Sequence, residues 1–198
     1  MMTTNFSTHA RKVRRAQQGF TLLEVMIAML VMLIGLLAEL AVLGVTVAAT
    51  QTTQDDMTAK QVASAAMESV FTARDTSQLQ FAQIQNIANG GVFNDGFKPI
   101  KDAGPDGLMD TADDVSPGPP CPGPSKCVQS AGPDGIIGTA DDVYTPLNNF
   151  QQQITIQPLT DTTGSQYQNL RSITVTIQYT SRGFKKNYVM NAYISQFR

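Results

Sequence analysis

The sequence predicts an α+β fold: a long N-terminal α-helix, apolar in its first half and amphipathic in its second, packed on a C-terminal antiparallel β-sheet, with a long loop-rich insertion between them. Three observations predict it. Residues 20–50 are an apolar run whose only charged members are Glu24 and Glu39, in a chain of which 15% is charged against about 25% in a typical soluble domain. From residue 51 the apolar residues fall into helical spacing, and beyond 150 into alternation. Between these two patterns lies an acidic, Gly- and Pro-rich segment that repeats itself.

The first element is a basic leader, residues 1–19, in which Arg11, Lys12, Arg14 and Arg15 stand with no acid among them. After Gly19 the chain has ten basic and sixteen acidic residues. A chain that is basic before its apolar run and acidic after it is oriented with its N-terminus in the cytoplasm and its C-terminus across the membrane. Residues 20–38 then give about nineteen predominantly apolar residues, enough to cross roughly 30 Å of hydrocarbon at 1.5 Å per residue. An ordinary secretory signal ends in a small-residue cleavage site, and none closes this run, so the segment is expected to stay attached. Glu24 is the anomaly within it. An ionised carboxylate near a membrane interior costs roughly 2.5–3.5 kcal/mol on insertion scales and asks for a partner. Glu39 reads either as the end of the span or as a second such acid. Gly35 and Gly44 read either as points where the helix loosens or as places where neighbouring helices approach closely.

The stretch "QQGFTLLEVMIAML" resembles the N-terminal signature of type IV prepilins. In that family a short basic leader ends in Gly, the mature chain begins with a methylated Phe, and Glu is the fifth mature residue; here Gly19, Phe20 and Glu24 hold those places. The resemblance implies cleavage after Gly19 by a membrane prepilin peptidase, methylation of Phe20, and assembly with other pilins or pseudopilins. It also implies a type IV pilin fold and a role for Glu24, whose carboxylate would neutralise the α-amine of Phe20 on a neighbouring subunit, a pairing that low dielectric strengthens. Further along, "EVMIAMLVMLIGLLAELAVL" and "KQVASAAMESVF" resemble the PilV minor pilins and, less closely, the minor pseudopilin I of type II secretion. The chain departs from many major pilins in having no Pro in the membrane half of the helix. The resemblance covers the first fifty or so residues after Gly19 specifically and the final hairpin only in pattern.

Residues 51–74 continue the helix as an amphipathic half, with Ala59, Val62, Ala63, Ala66, Met67, Val70 and Phe71 on one stripe and Lys60, Gln61, Ser64 and Glu68 away from it. Asp75 or Thr76 is expected to cap a second short helix through "SQLQFAQIQNIA", ended by Gly90 and Gly91. Residues 150–198 supply the sheet. "ITVTIQY" alternates Ile173, Val175, Ile177 and Tyr179 against polar residues, and a turn through Ser181, Arg182 and Gly183 leads to Tyr188, Met190, Ala192 and Ile194. "QITIQP" reads as a third strand stopped by Pro158.

Residues 95–145 hold the repeat: "DAGPDGLMDTADDV" at 102–115 and "SAGPDGIIGTADDV" at 130–143 agree at ten of fourteen positions. Eight acids face a single lysine, Lys126, between positions 102 and 142, a density that calls for a cation or wide solvent separation. Hard carboxylates on Gly-turned loops suit calcium, which takes six to eight oxygens. The acids do not alternate toward a Glu at the twelfth position, so the loop is no EF-hand. It resembles instead the calcium loop of the major pseudopilin of type II secretion. That resemblance implies two sites, one of Asp106, Asp113 and Asp114 and one of Asp134, Asp141 and Asp142, with the Ala103 and Ala131 carbonyls as further donors. Asp110 offers an extra oxygen in the first copy where the second has Gly138. The competing reading is two Asp-Gly turns with solvated acids and Thr111 or Thr139 as a cap.

"SPGPPCPGPSKC" separates the copies and contains both cysteines, Cys121 and Cys127, which are expected to form a disulfide beyond the membrane. A zinc site would need further ligands, and the single histidine, His9, is in the leader. After Gly19 the chain has no His, no nucleophile elbow and no phosphate-cradling Gly loop, so the expectation is a non-enzyme with no small-molecule substrate, and nothing suggests a nucleic-acid groove. Three functions fit: a minor pilin that reaches the pilus at the cell surface, a minor pseudopilin of a secretion machine, or an uncleaved membrane-anchored calcium-binding domain.

Overall fold

The computed structural model describes residues 20–197, which divide into two compact units, one ending at Thr46 and one beginning at Val47. Helix α1 (Leu22–Asp75) supplies the first unit and opens the second. Thr21 starts it: its Oγ1 accepts the Glu24 N–H at 3.2 Å and its carbonyl accepts the same N–H at 3.0 Å. Thr21-Leu22-Leu23-Glu24 is thus a T-x-x-E helix start, with the acid in the first turn where the helix dipole favours it. In the first unit every large apolar side chain of α1 is exposed, from Leu22 to Val45. The helix is long and apolar enough to cross a membrane. Added Cβ atoms on Gly35 and Gly44 would meet open space.

In the second unit α1 buries Ala59, Val62, Ala63, Ala66, Met67, Val70 and Ala73. The stripe is the expected one except at its end, where Ala73 is buried and Phe71 only packs against the edge of the core. Ser77 takes a left-handed conformation (φ 59°), and the Leu79 N–H returns to the Ala73 carbonyl at 3.1 Å, which ends the helix. The second α-helix expected after it is instead a pair of 3₁₀ turns, Phe81–Gln83 and Ile87–Asn89, with Gly90 left-handed behind them. The reason is long-range. The chain folds back so tightly that a Cβ on Gly91 would lie 2.0 Å from the Gln85 carbonyl oxygen, and Asn86 is spent on the sheet.

Among the described residues six strands form two antiparallel sheets. The larger runs in the order β1 (Lys98–Pro99), β4 (Phe150–Thr160), β5 (Gln166–Ser181), β6 (Phe184–Ser195), and the smaller pairs β2 (Cys127–Ser130) with β3 (Val143–Pro146). The β5–β6 hairpin turns on Arg182 (φ 53°) and Gly183 (φ 83°), with Ser181 opposite Phe184, a two-residue turn with both central residues at positive φ. Ile173, Val175, Ile177, Tyr179 and Ile194 face the helix stripe as their alternation predicts, joined by Phe150, Ile154 and Ile156 of β4. Each such side chain contributes about 1.5–3 kcal/mol relative to exposure, so this face dominates cohesion. Tyr179 stacks on Phe150 at 5.2 Å, and its hydroxyl donates to Asp56 on α1 at 2.6 Å.

β4 does not stop at Pro158, as the sequence suggested, but continues to Thr160 with a register shift between them. Along its outer edge Gln152 pairs with Lys98 of β1, the Ile154 N–H donates to Asp110 Oδ2 at 3.0 Å, and the Ile156 N–H donates to Asn86 Oδ1 at 2.8 Å. Asn86 Nδ2 donates back to the Ile154 carbonyl at 2.7 Å. Backbone N–H groups alternate between the two edges of a strand, so Pro158 falls where its missing donor is not required. Two side chains therefore stand in for a neighbouring strand and close an edge that would otherwise invite pairing.

Candidate functional site

The processing and assembly residues lie at the start of the chain. Gly19 and the basic leader, 1–19, are outside the described residues. Phe20 is exposed two residues before the start of α1, and Glu24 sits in the first helical turn among exposed apolar side chains. The Thr21 cap on Glu24 was readable in the sequence as T-x-x-E.

The acidic repeats fold alike. Copy 1 is closed by Asp102 and Val115, whose N–H groups and carbonyls exchange bonds of 3.1 and 3.0 Å; copy 2 is closed by the equivalent pair, Ser130 opposite Val143 in the β2–β3 hairpin. In each the first Asp accepts the N–H two residues on: Leu108 to Asp106 and Ile136 to Asp134, both 2.8 Å. The Asp106 and Asp134 N–H groups point to Oδ2 of Asp113 and Asp141, at 3.4 and 3.3 Å. The threonine hydroxyls donate to the same carboxylates, Thr111 to Asp113 at 2.7 Å and Thr139 to Asp141 at 2.6 Å. Finally the Asp110 and Gly138 N–H groups donate to Asp114 and Asp142, at 2.9 and 2.6 Å. Gly104 and Gly132 permit the crossing: a Cβ there would come within 2.4 and 2.2 Å of the Asp113 and Asp141 carbonyl oxygens. Gly107 and Gly135 take the positive φ of the Asp-Gly turn, 70° and 72°.

Their electrostatics differ with their setting. Burial raises the carboxyls of Asp106 and Asp114 in copy 1, whereas the Thr111 hydroxyl lowers Asp113. In exposed copy 2, the Thr139 hydroxyl lowers Asp141 and the Gly138 N–H lowers Asp142. Asp110 is fully buried, and desolvation pushes its carboxyl up to about 7. Its Oδ2 faces the sheet edge rather than the other acids of the repeat.

As a donor set for a cation the repeats are all hard oxygen, which suits calcium chemically. Asp142 Oδ1 and Asp110 Oδ1 are buried oxygens to which no donor is directed. Among the described residues, however, no three His, Cys, Asp or Glu side chains converge at ligand spacing. The six predicted ligands are instead held in the two local networks described above by N–H and hydroxyl groups. Between the copies Cys121 and Cys127 are joined in a disulfide with Cα atoms 5.8 Å apart, and the Lys126 ammonium lies 3.5 Å from Asp102.

No curated protein and no solved structure matches this chain. The family model of the prokaryotic N-terminal methylation motif matches residues 14–38, a span that contains Gly19, Phe20 and Glu24. With the long N-terminal helix and antiparallel sheet, consistent with a type IV pilin fold, that motif supports a prepilin-like chain, a type IV pilin or pseudopilin, and suggests a structural subunit rather than an enzyme.

Proposed function

We propose that this chain is a minor type IV pilin of the PilV kind, anchored in the inner membrane as a single-pass precursor, cleaved after Gly19 and carried into a pilus. The observation that carries this reading is the methylation motif over 14–38 leading into a helix whose apolar side chains are all exposed from Leu22 to Val45. Such a surface is satisfied by lipid before assembly and by neighbouring helices after it. Glu24 sets axial register, because a carboxylate left unpaired among apolar helices disfavours every misplaced neighbour. The Thr21 cap supports this role, since it fixes the first turn from which Glu24 projects.

The same reading assigns calcium to the repeats, with Asp106, Asp113 and Asp114 holding one ion and Asp134, Asp141 and Asp142 the other. Calcium would supply charge compensation to loops too polar to bury cores of their own. The Asp-rich oxygen set and the donorless, buried Asp142 Oδ1 support it.

A pseudopilin of type II secretion is the second reading, favoured by the likeness of the acidic repeat to the calcium loop of the major pseudopilin. Mass spectrometry of sheared, washed surface filaments beside the membrane fraction separates the two. A methylated peptide beginning at Phe20 in the filaments is the expected result. The same peptide confined to membranes would favour the pseudopilin, and an intact leader would sink both in favour of an anchored calcium-binding domain.

A further inference from the structure

The β5–β6 hairpin runs on past the core that it helps to build. Tyr179 and Lys186, opposite each other in the hairpin, both bond Asp56 of α1, and at the other end the Ser195 carbonyl accepts from Arg74 at 3.3 Å. The strand from Lys186 to Ser195 rises about 30 Å and the helix from Asp56 to Arg74 about 27 Å, so β6 and α1 run side by side in the same direction. In the opposite direction from Asp56 the helix reaches Val47, where the chain enters the second unit, after about 14 Å, and the strands reach the Arg182-Gly183 turn after about 10 Å. Val47, Asp56 and the hairpin tip all belong to that unit, and the tip ends within about one helical turn of the level of Val47.

The tip is built of residues that the core does not use. Phe184 stands on the core side of β6, at alternate positions with Tyr188, Met190 and Ile194, yet is 75% exposed, because the buried residues of α1 begin only at Ala59. Arg182 and Lys185 beside it are exposed, and among the described residues neither has an ion-pair partner, whereas Lys186 is taken by Asp56. Residues 47–54 carry no charge, and Asp55 and Asp56 lie farther along α1 from Val47 than the tip does. Beside the tip a cleft with Asn148, Asn149, Gln151 and Lys185 in its walls offers amide and ammonium donors and no carboxylate. An exposed aromatic flanked by free cations and neutral donors matches a surface that is apolar beneath and anionic above.

We infer that the β5–β6 tip docks on the bilayer that holds the apolar half of α1, Phe184 entering its edge while Arg182 and Lys185 bind acidic phospholipid headgroups. Val47 is the last large apolar residue of the run that opens at Leu22. A bilayer that takes up the run as far as Val47 brings its polar layer, about 5–7 Å thick, to the level of the tip. The long stems of Arg182 and Lys185 then lie along apolar surface with their charges among the phosphates. This inference rests on the reading that α1 is anchored in a membrane. The contact belongs to the membrane-bound state and is given up when the chain leaves the bilayer.

The test places the full chain in vesicles of phosphatidylcholine alone or mixed with phosphatidylglycerol, with a dansyl-bearing side chain replacing Phe184 or, separately, Tyr193 at the far end of β6. Lipids brominated high in the acyl chain are expected to quench the label at 184 and not at 193, several-fold more with phosphatidylglycerol present. Arg182→Gln with Lys185→Gln is expected to remove that several-fold difference. No quenching at 184, equal quenching at 193, or quenching indifferent to both headgroup charge and the paired substitution overturns the inference. So does a blue-shifted label at 184 that brominated lipid leaves unquenched, since a protein partner then covers the tip. Alkaline carbonate extraction of the same vesicles keeps the two readings apart. A chain that resists extraction without quenching at 184 removes this inference alone, whereas a chain that is washed off removes the anchoring reading and the inference with it.

Discussion

Asp56 shows how much one exposed carboxylate can tie together. It takes the Tyr179 hydroxyl at 2.6 Å and the Lys186 ammonium at 3.2 Å, joining α1 to both strands of the final hairpin. The tyrosine hydroxyl is the main cause that lowers its carboxyl below the ordinary aspartate value of 3.8, and Lys186 adds to it. Tyr179 is pushed up to about 12, by burial first and by Asp56 second. A lowered acid contributes stability that is present above its unfolded pKa and lost as pH falls through the folded value. A raised phenol contributes stability that is present below about 10 and lost as pH rises toward 12. The pair should therefore stabilise the second unit between about pH 4 and pH 10. Tyr179→Phe is expected to cost about 0.5–1 kcal/mol at pH 7, since Asp56 is half exposed and solvent screens it. Denaturant titrations at pH 7 and pH 3 check this, and an equal loss at both would refute the linkage. Asn86 is the opposite case, a nearly buried amide with three backbone partners. Asn86→Ala leaves buried backbone groups without partners, at roughly 1–3 kcal/mol each, so its loss should exceed that of Tyr179→Phe in the same titration.

At the level of elements, the repeats test the value of a glycine cradle and of calcium. Gly104→Ala and Gly132→Ala drive a Cβ into the same carbonyl and carboxylate of their own copies. Copy 1 is tied to the core through Leu108, Met109 and Asp110, so Gly104→Ala should lower the thermal midpoint of a fragment starting near Gln51. Gly132→Ala should leave the midpoint nearly unchanged while increasing hydrogen exchange locally at 131–142. Among the described residues every buried apolar one lies between Ala59 and Ile194, so that fragment carries this core. Millimolar calcium is expected to raise its midpoint over chelator by mass action on the folded state, and Asp113→Ala to reduce the shift. No shift, with Asp113→Ala behaving like wild type, would leave the donor-capped turns as the full account of these acids. The elements also differ in how far the sequence exposed them. The α1 stripe and the β5–β6 hairpin were legible because helical and alternating periods are local. The 3₁₀ turns and the passage of β4 beyond Pro158 were not, since each depends on a distant partner or edge: Asn86 on Ile154 and Ile156, Pro158 on an edge with no donor to fill.

For the molecule as a whole, the divided character of the chain matters most. The helix of the first unit exposes all its large apolar side chains, whereas the second unit has a buried core; on the pilin reading proposed above, lipid or other helices complete the first. Glu24→Val should accordingly impair entry into filaments while leaving cleavage after Gly19 intact, read by immunoblot of sheared filaments and by the mass of the membrane-bound form. Normal incorporation would remove the register role. The motif around Gly19, Phe20 and Glu24 was legible because its residues are nearly contiguous in the chain and need no distant partner to be seen. The acids of the repeats were legible as a cluster but not as a network, because their spacing says nothing of the N–H and hydroxyl groups that meet them. Asp110 shows the difference: the sequence offers it as one more ligand, and the fold turns it toward the Ile154 N–H.

The closed ends of the second repeat have a practical meaning. Ser130 and Val143 already sit opposite each other in a hairpin, and no side chain between them is needed inside the domain. The stretch is in effect a cassette, set in a frame that its contents meet at Asp142, whose carboxylate accepts from Gln129 of β2. A foreign peptide grafted between those two residues would be carried by the same anchors, and where the chain is displayed outside the cell, so would its cargo be.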